Sequence, residues 1–155
     1  MDIFSLTHHS TAPSAPVATL SQESILLLDD DDLHRSCVKE FLEQRGYDCL
    51  EAENGVTGLD VLRQESVSII ITDNNMPEMD GLTFIEHVKH EYPNEILPIF
   101  LMTAEVSSAV RLRAFKNGVY RVFEKPLDFH ELCYAVDWVT KFDLHAPLPT
   151  KFASP

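Results

Sequence analysis

Between Ser24 and Lys141 the chain alternates short, nearly unbroken apolar runs with longer stretches whose apolar residues recur at helical spacing. Ser24 to Leu28 (SILLL) has no polar face and predicts a buried strand. Leu33, Cys37, Val38, Phe41 and Leu42 then follow a helical spacing that Gly46 closes. Tyr47 to Ala52 predicts a half-buried strand, and Asn54 can cap a helix carrying Val56, Leu59 and Leu62. Val67 to Thr72 is the next buried strand. Leu82, Ile85 and Val88 mark one face of a third helix, and Leu97 to Met102 a fourth strand. Val106, Val110 and Ala114 mark a fourth helix with Gly118 at its C-terminal end. Val119 to Phe123 is a short fifth strand, and Asp128 can cap a last helix with Leu132, Ala135, Val136 and Val139 on one side.

The pattern is five strand–helix pairs. Strands that are apolar throughout, and not in alternation, imply an α/β fold with a parallel sheet covered by helices on both faces. Ligands in such folds sit outside the carboxyl ends of the strands, which says where to look for chemistry. The folded domain is expected at residues 23–142. Residues 1–22, rich in Ser, Thr, Ala and Pro, predict a flexible tail in which His8 and His9 are solvated, and residues 143–155 an irregular one.

Charge narrows the partners. The 155-residue chain carries a formal net charge of −13, which repels phosphate backbones and anionic lipid. Protein partners or cations are expected, with no nucleic acid and no membrane. No apolar run approaches the roughly 20 residues of a membrane span, and the first twenty residues lack a basic start and an apolar core, so a cytoplasmic protein is expected. The three cysteines, Cys37, Cys49 and Cys133, lie within apolar-patterned stretches and are read as reduced and structural.

Past the first predicted strand come Asp29, Asp30, Asp31 and Asp32; past the third comes Asp73, past the fourth Thr103 and past the fifth Lys125. Asp31 or Asp32 suits a helix N-cap. Asp29 and Asp30 leave the strand earlier and should face the same crevice as Asp73. Three carboxylates together raise one another's pKa and call for a cation, and Mg²⁺ suits a few carboxylates plus phosphate oxygens. A carboxylate can then act as nucleophile toward phosphorus, with hydroxyl and ammonium groups such as Thr103 and Lys125 holding the other oxygens.

The pieces ILLLDDDDLHR, IIITDNNMPEMDG, PIFLMTAE and FEKPL, in this order, resemble the receiver domain of two-component response regulators, close to the single-domain chemotaxis type, over about Ser24 to Lys141. The resemblance implies a flavodoxin-like (βα)5 doubly wound sheet in strand order 2-1-3-4-5. It implies that Asp73 is the phospho-acceptor, that Asp29 and Asp30 with Asp73 hold Mg²⁺, and that the backbone carbonyl of Asn75 completes the metal shell. Thr103 matches the switch hydroxyl and Lys125 the lysine on the phosphoryl oxygens. Lys125-Pro126 matches a peptide bond that is usually cis, while Met76-Pro77 and Asp80-Gly81 shape the loop and start the third helix.

The implied partners are a histidine kinase or histidine phosphotransfer protein and a downstream protein bound at the fourth helix, fifth strand and fifth helix. The protein is expected to be a monomer or weak dimer with no chemistry beyond its own phosphorylation and dephosphorylation. Two positions depart from the family pattern. Val122 stands where Tyr or Phe is usual, and strand alternation is taken to put Tyr120 and Phe123 on the opposite face. Gly58 replaces an alanine, with local flexibility as the expected effect. A pseudo-receiver, a receiver fragment of a larger regulator, and a haloacid-dehalogenase-like phosphatase stay open; the last needs an aspartate where Asn75 stands. His34, His87, His90 and His130 are read as surface residues.

Overall fold

Five parallel strands run in the order β2-β1-β3-β4-β5 in the computed structural model, which describes residues 23–141. The tails expected at residues 1–22 and 143–155, and residue 142, lie outside the described residues. The elements alternate without exception: β1 (Ser24–Leu28), α1 (Asp32–Glu43), β2 (Asp48–Ala52), α2 (Gly55–Gln64), β3 (Ile69–Asp73), α3 (Gly81–Glu91), β4 (Ile99–Thr103), α4 (Ser108–Lys116), β5 (Arg121–Glu124) and α5 (Phe129–Lys141). The patterning predicts the parallel α/β sheet, and the flavodoxin-like strand order is the one that the family resemblance implies.

Side-chain alternation along the strands divides the core into two layers. Ile25, Leu27, Ile69, Ile71, Phe100 and Met102 pack with Val38 and Leu42 of α1 and with Leu132 and Val136 of α5. Leu26, Leu28, Ile70, Ile99 and Leu101 pack on the other side with Leu59 of α2, Phe84 of α3 and Ala114 of α4. Apolar side chains on both faces explain why these strands read as unbroken runs.

The helices begin where the sequence offers caps. Asp31 accepts from the Leu33 and His34 amides, Asn54 forms a capping box with Thr57, and Asp80 accepts from the Thr83 amide. Asp128 accepts from the His130 and Glu131 amides ahead of α5.

Several boundaries and faces differ from the expectation. β4 starts at Ile99 because Pro98 has no amide for the ladder, although its carbonyl accepts from Ile70. β5 starts at Arg121, after Gly118 at φ +65° has turned the chain. α4 begins after Ser107, leaving Val106 outside it. In α1, Leu33 and Cys37 are exposed, Leu33 at 75%. The stripe facing the sheet runs through Val38, Phe41 and Leu42, and one helical position rotates a side chain by about 100°. A structural role for Cys37 is therefore withdrawn. Cys49 and Cys133 are buried and free, and burial pushes the Cys49 thiol up to about 12.

Gly58 differs as well. A Cβ there would lie 2.4 Å from Leu28 Cδ2 and 3.1 Å from Phe84 Cε2. The glycine makes room for the β1 and α3 side chains, a packing reason that the expectation of flexibility left out.

Candidate functional site

The carboxyl ends of β1, β3, β4 and β5 bring Asp29, Asp73, Thr103 and Lys125 to one rim, with Asp29, Thr103 and Asp73 buried. Asp73 is the last residue of β3, one later than the predicted end of the strand, so a fully paired strand delivers it. Behind it the Asn74 amide donates to the Met102 carbonyl, and the Thr72 hydroxyl donates to the Asp73 carbonyl. The following loop closes tightly. The Gly81 amide donates to the Asn74 carbonyl, and a Cβ on Gly81 would stand 2.2 Å from the Asp73 carbonyl oxygen. Only glycine permits that approach. Glu78, at φ +64°, sits in the middle of a three-residue turn closed by the Met79 amide on the Pro77 carbonyl.

Asp29, Asp30 and Asp73 each offer an oxygen within 4.8 Å of the others, Asp30 from an exposed position. Lys125 reaches Asp73 Oδ1 at 2.9 Å and Asp29 Oδ2 at 3.3 Å. The Asn75 amide donates to Asp73 Oδ2 at 3.1 Å. Burial raises the Asp73 carboxyl above its ordinary value, with Asp29 and Asp30 adding to the rise and Lys125 opposing it. Burial alone would lower the Lys125 ammonium, but Asp73 and then Asp29 outweigh it and the net shift is upward.

The Thr103 hydroxyl donates to the Glu105 carbonyl at 3.1 Å and accepts from the Glu105 amide at 3.2 Å, which turns it into the β4–α4 loop. The Lys125-Pro126 peptide bond is cis, and the Lys125 amide donates to the Thr103 carbonyl. Val122 packs in the α2–α3–α4 layer, while Phe123 and Tyr120 lie against Phe100 in the α1–α5 layer. Tyr120 thus takes the expected side, but strand alternation is not the reason: alternation sets positions two apart on one face and would have put Tyr120 with Val122, whereas Tyr120 precedes the first residue of β5.

Two further residues belong to this rim. His34, read as a surface residue, places Nδ1 2.6 Å from Asp29 Oδ2. Arg35 donates through Nη1 to the Asp29 carbonyl at 2.5 Å and through Nε to Glu51 at 3.1 Å, tying the end of β1 to β2. Their signal in the sequence was position: residues in the first turn of a helix that follows the acidic pair at once can fold back over it. His87, His90 and His130 are exposed, as expected.

Three carboxylates with two of them buried and one lysine beside them form an oxygen donor set suited to a hard divalent cation. The arrangement combines the buried Asp73 carboxylate, the Lys125 ammonium and the Thr103 hydroxyl on the adjoining strand. The response regulator receiver domain family model matches residues 25–137.

The chain belongs to the response regulator receiver domain family. A chemotaxis protein CheY homolog of Campylobacter jejuni is 40% identical over 104 residues, covering 66% of this chain and 80% of that protein. The transcriptional regulatory protein ZraR of Klebsiella oxytoca is 33% identical over 111 residues, covering 72% of this chain but 25% of the relative. Among solved structures, the chemotaxis response regulator CheY4 of Vibrio cholerae superposes with a TM-score of 0.70 at 26% identity, covering 76% of this chain and 98% of that one. Receiver domains are signalling modules of two-component systems that bind Mg²⁺ at an acidic pocket, and this structure shows an aspartate cluster of Asp29, Asp30 and Asp73. No helix among the described residues is long and apolar enough to cross a membrane.

Proposed function

We propose that this receiver, spanning residues 23–142, is a phosphorylation-activated switch that takes a phosphoryl group onto Asp73 from the phosphohistidine of a kinase or phosphotransfer protein. The observation that carries the reading is the shared ion pair of Lys125 with buried Asp73 and Asp29, beside exposed Asp30. An Asp73 carboxylate oxygen bonds to phosphorus as the donor's N–P bond breaks, and the electron pair stays on the imidazole nitrogen. Lys125, already 2.9 Å from Asp73 Oδ1, follows the charge onto the phosphoryl oxygens. Asp29, Asp30 and Asp73, with the Asn75 backbone carbonyl, would hold Mg²⁺, which when bound neutralises the approach of two anionic groups. Water later cleaves the acyl phosphate and returns the carboxylate, so the chemistry is limited to self-phosphorylation and self-dephosphorylation.

For readout, the phosphoryl group adds about 1.5 to 2 negative charges and new acceptors, enough to draw the Thr103 hydroxyl from Glu105. That shift pulls on the loop leading into α4. The face of α4, β5 and α5 is where a downstream protein docks, and Leu112 and Phe115 stand exposed on α4. The chain's own charge of −13 disfavours its direct contact with DNA. Relatives named as transcriptional regulators make a DNA-binding partner or neighbouring domain compatible with this reading.

The test is incubation with Mg²⁺ and acetyl phosphate, followed by intact-mass measurement. One added phosphoryl group that decays slowly and is absent from Asp73→Asn is the expected result. No Asp73-dependent adduct, and no beryllofluoride binding, would leave an interaction module that does not use phosphate. Rapid multiple turnover of a phosphomonoester would point to a phosphatase instead.

A further inference from the structure

His34 touches the carboxylate on which the cation reading depends. Asp29 Oδ2 receives both His34 Nδ1 at 2.6 Å and Lys125 Nζ at 3.3 Å, while Oδ1 receives the Asp31 amide at 2.9 Å. A carboxylate oxygen has two lone-pair sites, so both sites on Oδ2 are taken. An ionised carboxylate has no proton to give, so Nδ1 carries the hydrogen in this contact. The imidazole is held from behind by the tilted ring of Phe129, whose centroid lies 6.3 Å away, and Phe129 in turn packs on Phe41.

The orientation of Asp29 does not depend on this histidine, because Asp31 N–H and Lys125 already fix both oxygens. What His34 adds is a second donor on Oδ2, the oxygen that Lys125 also contacts. We propose that His34 competes with the divalent cation for Asp29, so that metal binding requires the Nδ1–H···Oδ2 bond to lengthen or break. His34 is on this account a positioning residue that weakens cation binding in the resting site. The inference rests on the metal-site reading of Asp29, Asp30 and Asp73.

The test measures cation binding directly, by following free Mn²⁺ with electron paramagnetic resonance, and requires no phosphorylation. Leu in place of His34 removes the donor, whereas Asn keeps an N–H at the place of Nδ1. The expected result is that His34→Leu binds Mn²⁺ about tenfold more tightly than wild type, from the release of one charge-assisted hydrogen bond, while His34→Asn stays near wild type. Affinity unchanged or weakened in His34→Leu overturns the competition. Should His34→Leu fail to fold, the wild-type protein decides alone: the ring ¹⁵Nδ1 resonance of His34 should shift saturably as Mg²⁺ is added, and a resonance that stays fixed through saturation overturns the proposal. Asp30→Asn separates this from the underlying reading. If wild type and Asp30→Asn bind Mn²⁺ equally, the metal site itself is misplaced and the proposal falls with it.

Discussion

α4 and α5 both flank β5 at one edge of the sheet, yet they are held in opposite ways. α5 buries Leu132, Cys133, Ala135, Val136 and Val139, and its Asp137 accepts from the Tyr47 hydroxyl at 2.5 Å. α4 buries Ala114 alone, while Leu112 is 53% and Phe115 81% exposed. Its ion pair to the body, Arg113 with Glu86, is exposed, and such pairs contribute at most about 1 kcal/mol. Burial scales with apolar area removed from water, so α5 belongs to the stable body and α4 is the element with least to lose by shifting. The Thr103 loop leads into α4. A change at the rim therefore reaches the helix that can answer it at small cost.

The largest expected effect tests that contrast directly. Leu132→Ala should cost about 2–5 kcal/mol of unfolding free energy in urea, whereas Leu112→Ala should stay within about 0.5 kcal/mol. Comparable losses at the two positions would erase the distinction between the helices.

A second experiment asks whether looseness is confined to α4 or shared by the whole α2–α3–α4 layer. Overpacking at Gly58→Ala costs about 1–3 kcal/mol against Leu28 and Phe84, and the helix gains back about 0.5–1 kcal/mol from alanine. A net loss of up to about 2.5 kcal/mol is expected, and in a Leu28→Val background the substitution should become neutral or stabilising. A Gly58→Ala that stabilises the wild-type background would show this layer to be loose at α2 as well.

The smallest effect concerns the rim that α4 answers to. Asp73 has a raised native pKa, so the fold holds its proton more tightly than the unfolded chain does. Ionised Asp73 therefore destabilises the fold at neutral pH, and the penalty disappears as pH falls through the raised native value toward the ordinary 3.8. Asp73→Asn should raise Tm by about 2–4 °C at pH 7 without divalent cation, with the difference closing in acid. A lower Tm at pH 7 would mean that the Lys125 pairing outweighs the burial cost.

Much of the fold was legible because the sheet is covered on both sides. Runs such as SILLL and IIIT have one plausible fate, and Asp31, Asn54, Asp80 and Asp128 mark helix starts that side-chain hydrogen bonds then confirm. The rim residues were legible too, since strand ends in a parallel sheet share one edge: Asp29, Asp30, Asp73, Thr103 and Lys125 were named from their places after predicted strands, and the structure brings Asp29, Asp30, Asp73 and Lys125 together. Less legible was which way a helix is rotated. Leu33 and Cys37 fit a helical spacing as well as Val38 and Leu42 do, and only docking against the sheet selects the buried stripe. The packing role of Gly58 was hidden for the same reason, because the side chains that need its space come from β1 and α3.

Local pattern and chain direction were enough for the element order, for the strand ends that meet at the rim and for the acidic character of the crevice. Tertiary structure alone decided that His34 and Arg35 fold back on Asp29, that Thr103 rests on Glu105, and that α5 is anchored while α4 is not. The physical reason is common to all three. Spacing along a chain records which residues can share a face, but hydrogen bonds of a few ångströms and burial against a neighbour exist only once separate elements have been fixed in space.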